Sequence, residues 1–379
     1  MKKLFVLILA LLMLCSCSLS KEPEKPAEPP KEQPSSSEPE EQPKEKEEPP
    51  SVKTHENLLE KFEATDIQEI RLFNDNIAYV HSFNREIDLG DGFKTTVSSF
   101  DLETAEAEIL FYGSAYFDYG DTLSVHEMDF GNPWIFTGKN IFSKGITERG
   151  NIEYSFEGSP GDFDFDFGNK RYIFVDGNGK EKLYSKNIET NEEKLLCDVS
   201  GKGEHRFIHN PKVNSDSRNI VFLDCKYEAS VTVRLICIDF WGNIIFEESF
   251  ENDFLYNIRD LRWLNEEKFA LLLANAEEES SSIRIYNINS GFAEERTLDF
   301  LFNNIQSDIT QSYPFAVISE YVPQSHFRYR LWLYNFEEGT AEELYISPTG
   351  GIIHGFDLSP GGKTLCWIEN DDIKFMEIN

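Results

Sequence analysis

The sequence predicts an all-β fold: a seven-bladed β-propeller of four-stranded antiparallel blades, closed by an N-terminal strand that pairs in the last blade. Three observations carry that expectation. The chain holds 31 Phe and 15 Tyr, its apolar runs are filled with β-branched residues, and no stretch shows helical periodicity. A unit of strand, turn, apolar strand, turn and strand recurs through the chain. The last copy of that unit supplies three strands and lacks the fourth.

The front of the chain reads differently. Residues 1–17 form a signal: Lys2 and Lys3 precede the apolar run Leu4 to Leu14, and small residues and cysteine follow. That run is shorter than the roughly 20 residues a spanning helix needs. Leu14-Cys15-Ser16-Cys17 resembles the bacterial lipobox, a resemblance that implies lipidation at Cys17 and cleavage before it. Residues 18–55 form a Pro/Glu/Lys-rich stalk, with nine of the 16 prolines and ten glutamates between Lys21 and Pro50. Such a segment has too little apolar surface to fold and stays semi-extended.

The propeller is expected over residues 56–379. The first apolar residue of each second strand falls at Ile77, Trp134, Tyr172, Ile220, Phe269, Phe315 and Leu365, with steps that average 48 residues. A polar residue after each third strand gives a second anchor at Asp101, Asn187, Asp239, Asn287, Asn335 and Glu377. The tetrapeptide DFGN occurs twice, at Asp129 to Asn132 and at Asp166 to Asn169. Units of this length with four short strands bury their two apolar faces against neighbouring copies. The segment ENLLEKFEATDI (56–67) is the strand expected to complete the last blade.

The closing unit LSPGGKTLCWIENDDIKFMEIN resembles the S-P-D-G-K, apolar strand, D-I-Y-V-M-D unit of TolB-like and WD40-like propeller repeats of bacterial envelope proteins. NSDSR (214–218) and LNEEK (264–268) echo it. The resemblance implies a propeller of six to eight blades that binds other proteins or small ligands without catalysis. Gly361 stands where the motif has Asp. The α/β domain that TolB carries before its propeller has no counterpart here, so a TolB role is not carried over.

Net charge is −32, of which −29 falls beyond Pro50. Nucleic acid and anionic membrane surfaces are therefore poor partners, and the lipid anchor is the only expected membrane contact. Cys197, Cys225, Cys237 and Cys366 are too few for a disulfide framework. Cys225 and Cys237 flank a hairpin, either as free buried thiols or as a cross-strand bond.

Catalytic signatures are sparse. There is no G-x-S-x-G, and Gly361-Gly362-Lys363-Thr364 reads as a turn between strands rather than a phosphate loop. His126 to Phe130 lacks the second histidine of a zinc helix, while His205 and His209 are placed in a loop entering a strand. In GDFDFDFGN, Asp162, Asp164 and Asp166 share one strand face, which calls for basic partners, solvent or a hard cation. Calcium is the candidate cofactor for that oxygen-only set, and Asp88 to Gly92 is a second candidate loop. Of the five tryptophans, Trp134, Trp263, Trp332 and Trp367 fit strands and core packing, and Trp241 in DFWGN fits a turn.

The expected function is a lipid-anchored, extracytoplasmic, non-catalytic scaffold that binds an envelope protein or extracellular ligand. The alternative is a carbohydrate-active enzyme, a glycosidase or lyase, using channel-mouth carboxylates.

Overall fold

The computed structural model describes residues 51–378 apart from 89–92, 116–122, 129–131, 138–139, 144–153, 156–162, 167–168, 177–179, 188, 202–204, 228–230, 251–257, 276–279, 307–308 and 323–327. The signal, Cys17 and the stalk up to residue 50 lie outside the described residues.

Among the described residues there is no helix, and 28 strands form seven four-stranded sheets. After β1 (Lys53–His55), sheet 1 contains β2 (Asp66–Leu72), β3 (Ile77–Asp88), β4 (Phe93–Asp101) and β5 (Ala107–Ala115). Sheet 2 contains β6 (Leu123–Met128), β7 (Asn132–Thr137), β8 (Asn140–Ser143) and β9 (Tyr154–Ser155). Sheet 3 contains β10 (Phe163–Asp166), β11 (Arg171–Val175), β12 (Lys182–Asn187) and β13 (Glu193–Asp198). Sheet 4 contains β14 (His205–Val213), β15 (Asn219–Tyr227), β16 (Val231–Asp239) and β17 (Ile244–Phe250). Sheet 5 contains β18 (Ile258–Trp263), β19 (Lys268–Asn275), β20 (Ser280–Asn287) and β21 (Gly291–Leu298). Sheet 6 contains β22 (Phe302–Ile305), β23 (Phe315–Val322), β24 (Arg328–Asn335) and β25 (Thr340–Ile346). Sheet 7 contains β26 (Ile353–Leu358), β27 (Thr364–Glu369) and β28 (Asp372–Glu377), with β1 as its fourth strand.

The polar anchors of the sequence repeat are the last residues of the third strands, and their chemistry explains the spacing. Asp101 Oδ1 accepts the backbone N–H groups of Glu103 and Thr104, Asn187 those of Glu189 and Thr190, and Asn335 those of Glu337 and Glu338. A short side-chain acceptor ends the strand and shapes the turn to the fourth strand. The residue after the anchor points inward: Leu102, Phe240 and Phe336 are buried.

The outermost strands share a second device. In sheets 1, 3, 4, 5 and 6 the third and fourth strands slip by one residue, leaving Leu110, Leu196, Ile245, Ala293 and Leu344 without a partner across the ladder. Such bulges twist an exposed edge away from further pairing.

Cores lie between sheets, as amphipathic sheets stacked face to face require. Ile173, Leu183 and Leu196 of sheet 3 pack with Ile220, Phe222 and Ile238 of sheet 4. Separate clusters join sheet 4 to 5, 5 to 6, 6 to 7, and 7 to 1. First strands contact first strands: β2 lies against both β26 and β6, and β14 against both β10 and β18.

The strand that completes sheet 7 is not the expected segment 56–67. Lys53, Thr54 and His55 pair with Phe375, Lys374 and Ile373. The His55 ring stacks on Phe375 at 5.4 Å, and its Nε2 is 2.7 Å from the Leu102 carbonyl oxygen. Leu58 and Phe62 instead lie in a hydrogen-bonded turn, with Phe62 N–H donating to the Leu58 carbonyl, and both side chains plug the core between sheets 7 and 1. The hydrogen bond from Phe62 back to Leu58 closes a turn within the segment, and that takes these residues out of strand pairing.

Candidate functional site

The site is built outward from the aspartate-rich strand β10. Asp162 lies outside the described residues. Asp164 accepts the Val213 N–H of the next sheet at 2.8 Å, with Lys212 Nζ at 3.9 Å. Asp166 is buried and accepts from Arg171 Nε, from the Ser217 hydroxyl and from Asn169 N and Nδ2. These groups use the Asp166 carboxylate as a cross-sheet clamp. Among the described residues no group of three or more His, Cys, Asp or Glu is arranged to hold a metal ion.

Arg171 passes this constraint on. Its Nη2 donates to the Ser217 carbonyl at 3.1 Å, and its guanidinium lies over the Phe240 ring, 3.3 Å from the centroid. Phe240 belongs to the turn between β16 and β17. Lys194 of sheet 3 donates to the Phe240 carbonyl at 2.8 Å. Asp239 Oδ1 accepts the N–H groups of Trp241 and Asn243, both at 2.8 Å, and Asp239 Oδ2 accepts Asn243 Nδ2 at 2.7 Å. Although burial acts to raise its pKa, the hydrogen bonds from Asn243 and Trp241 hold the Asp239 carboxyl below its usual range. Gly242 has φ +90° and sits so close to the Leu196 carbonyl that a Cβ would overlap it.

The residue inside this clamp points out. Trp241 is 78% exposed, although its backbone is fixed on both sides. At the same turn position the other repeats carry Glu103, Glu189, Asn289 and Glu337, so the turn itself does not require an aromatic ring.

Neighbouring edge strands extend the apolar surface. Ile244 is 58% exposed, and Ile245, the bulged residue beside it, is 42% exposed, whereas the bulged Leu110 and Leu196 of sheets 1 and 3 are buried. Leu195 of sheet 3 (47%) adjoins the Trp241 turn through Leu196, and Phe292 of sheet 5 (49%) meets Tyr286 edge-on, 5.7 Å away, with Phe246 tilted against the same ring at 5.6 Å. By register, the positions matching Ile244 in sheets 1, 3 and 6 hold Ala107, Glu193 and Ala341. Isolated exposed apolar residues are ordinary, but apolar residues on three successive edge strands beside Trp241, whose backbone is fixed, make this the candidate site.

The remaining sequence candidates fall elsewhere. Trp263 and Trp367 are buried, the Trp263 indole donating to the Lys212 carbonyl at 2.8 Å, and Trp332 stacks on Phe300 at 4.7 Å. The Trp134 side chain lies outside the described residues, as do residues 89–92 of the acidic loop. His205 and His209 lie within β14 itself, opposite Tyr227 and Leu223, and not in a loop before it. Cys225 and Cys237 are buried thiols with no disulfide between them, opposite Val233 and Val221 in the ladder; burial raises the Cys237 thiol to about 12. Gly361 and Gly362, at φ +85° and +76°, form the turn between β26 and β27.

Sequence reasoning placed Trp241 in a turn but missed Leu195, Ile244, Ile245 and Phe292. The legible signal was Trp standing where the other repeats are polar.

No family model matches the sequence, and no curated protein matches it. Among solved structures, a chain of the crystal structure of the mitotic checkpoint complex superposes with a TM-score of 0.52 at 12% identity, over 89% of this chain and 98% of that one. The crystal structure of the C-terminal WD40 domain of Sif2 matches with a TM-score of 0.48 at 10% identity, over 83% and 96%. The likeness to the first is one of fold alone, a β-propeller of four-stranded sheets.

Proposed function

We propose that this chain is a closed seven-bladed propeller that acts as a protein-binding scaffold, docking its partner on the outer rim of sheets 3, 4 and 5 around Trp241. The single observation that carries the reading is the clamped Trp241 turn. A large aromatic side chain held in place by its backbone loses little entropy on binding, which is how interface hot spots arise. The cores joining successive sheets and the pairing of β1 with β28 support the closed ring. In this reading Cys17 carries the lipid, residues 18–52 hold the propeller away from the membrane, with Lys53–His55 already part of sheet 7, and the scaffold works outside the cytoplasm at the cell envelope.

The test is a pull-down from envelope extract with the full chain and with the double variant Trp241→Ser and Ile244→Ser. Stoichiometric recovery of one protein by the native chain, lost in the variant while its melting temperature stays unchanged, is the expected result. Equal recovery by both chains, or turnover of polysaccharide by the purified protein, contradicts the proposal.

A further inference from the structure

The edge strands around Trp241 carry a second pattern, in their charges. The cations on these strands are spent within the protein. Lys194 donates its ammonium to the Phe240 carbonyl, and Arg296 donates to Glu294 and to the Phe336 carbonyl. The carboxylates are not matched in the same way. Glu193 lies two residues before Leu195 on β13, and Glu248 follows the Phe246 that packs against Tyr286. Neither has a cationic partner among the described residues. By contrast, Glu247, Glu295 and Glu343 of sheets 4, 5 and 6 are paired with Arg234, Arg284 and Arg330 of the adjoining third strands.

The surface therefore offers apolar contact from Trp241, Ile244, Leu195 and Phe292, flanked by negative charge that the protein leaves uncompensated. An apolar patch with an acidic border is complementary to a segment carrying apolar and basic side chains together. An acidic partner is repelled by the border and by the −32 net charge of the chain. A purely polar cation gains nothing from the Trp and Ile side chains. A neutral sugar, the other ligand that an exposed Trp suggests, can donate hydroxyl hydrogen bonds to the carboxylates but gains nothing from their charge, so its binding does not weaken as salt is raised.

We infer that the partner docks through a cationic, apolar-bearing protein segment laid across the rim of sheets 3 to 5, its apolar residues on Trp241 and Ile244 and its basic residues on Glu193 and Glu248. The inference rests on the docking reading above and adds the chemistry of the partner.

The experiment is fluorescence anisotropy of a labelled peptide in which lysine alternates with leucine, titrated with the full chain. Three comparison probes accompany it: the same peptide with glutamate for lysine, the same with serine for leucine, and a soluble neutral glucan. The expected result is binding of the lysine–leucine peptide alone, weakening as salt is raised. The double variant Trp241→Ser and Ile244→Ser, which leaves net charge unchanged, is expected to bind about 30-fold more weakly. Glu193→Gln with Glu248→Gln is expected to weaken binding and flatten its salt dependence.

Retention of binding by the Trp241→Ser and Ile244→Ser variant reveals mere attraction to an acidic protein and overturns the inference. So does equal binding of the glutamate peptide, or binding of the glucan in place of any peptide. If no peptide binds while the pull-down partner is still lost in that variant, the partner chemistry falls and the scaffold reading stands. If the pull-down also fails, both fall.

Discussion

The carboxylate of Asp357, in the first strand of sheet 7, accepts the backbone N–H of Leu72, in the first strand of sheet 1, at 2.8 Å across 285 residues of chain. Asp164 and Val213 make the same contact between sheets 3 and 4. In both places a side chain supplies the acceptor that a first strand lacks on its inner side. Asp357→Ala leaves a buried N–H without that acceptor and is expected to cost about 1–3 kcal/mol. Asp357→Asn, which keeps an oxygen, is expected to cost less. Urea denaturation of the two variants measures the difference.

Asp166 holds Arg171, and Arg171 holds the Phe240 ring beneath the Trp241 turn. Asp166→Ala strands a partly buried guanidinium, and removing one partner of a buried pair costs about 3–5 kcal/mol. The Trp241 turn is expected to loosen as well, read as increased quenching of tryptophan fluorescence by acrylamide. Because protein donors already use the Asp166 oxygens, adding or chelating calcium is expected to leave the melting temperature of the native chain unchanged.

Gly242→Ala tests the clamp from the other side. The φ of +90° disfavours any side chain, and the new Cβ meets the Leu196 carbonyl, a backbone atom that has little freedom to move. A loss of more than about 1 kcal/mol is expected, since the native backbone conformation is incompatible with alanine. Partner capture is expected to fall with it.

His81 is fully buried in sheet 1, its Nε2 2.7 Å from Thr95 Oγ1 and its Nδ1 without a hydrogen-bond partner. Burial lowers its pKa from 6.5 to about 4, against the opposing pull of the Asp66 carboxylate. The unfolded chain therefore binds a proton that the folded one refuses. The His81 contribution is complete above pH 6.5 and is lost progressively as pH falls towards 4, with a slope approaching about 1.4 kcal/mol per pH unit. The native chain is expected to lose stability over that window faster than His81→Leu, and the difference between their denaturation midpoints is the readout.

The repeating plan was legible because its anchors are chemical. Asp101, Asn187, Asp239, Asn287 and Asn335 recur because a short polar acceptor must close each turn, and a requirement on one residue type leaves a mark in the sequence. The completing strand left no such mark: Lys53–His55 is three residues long without apolar alternation, and tertiary pairing alone places it. ENLLEKF looked more like an edge strand because it is apolar, yet those side chains serve a core plug. The docking surface was half legible. Trp241 stands out against Glu and Asn in the other repeats, whereas the residue types of Ile244 and Ile245 do not distinguish an exposed edge strand from a buried one.

Everything proposed for the rim depends on a closed ring that keeps successive edges in order, and in that proposal the pairing of β1 with β28 is the seam. The most direct measurement compares the thermal unfolding and oligomeric state of two chains, one beginning at Ser51 and one at Glu56. The longer chain retains the pairing with β28 and the His55 contacts, and it is expected to match the full chain as a monomer. The shorter chain loses roughly three strand hydrogen bonds, at about 1 kcal/mol each, and bares the β28 edge. A lower melting temperature with self-association is the predicted result; two chains that melt together as monomers contradict the closed ring.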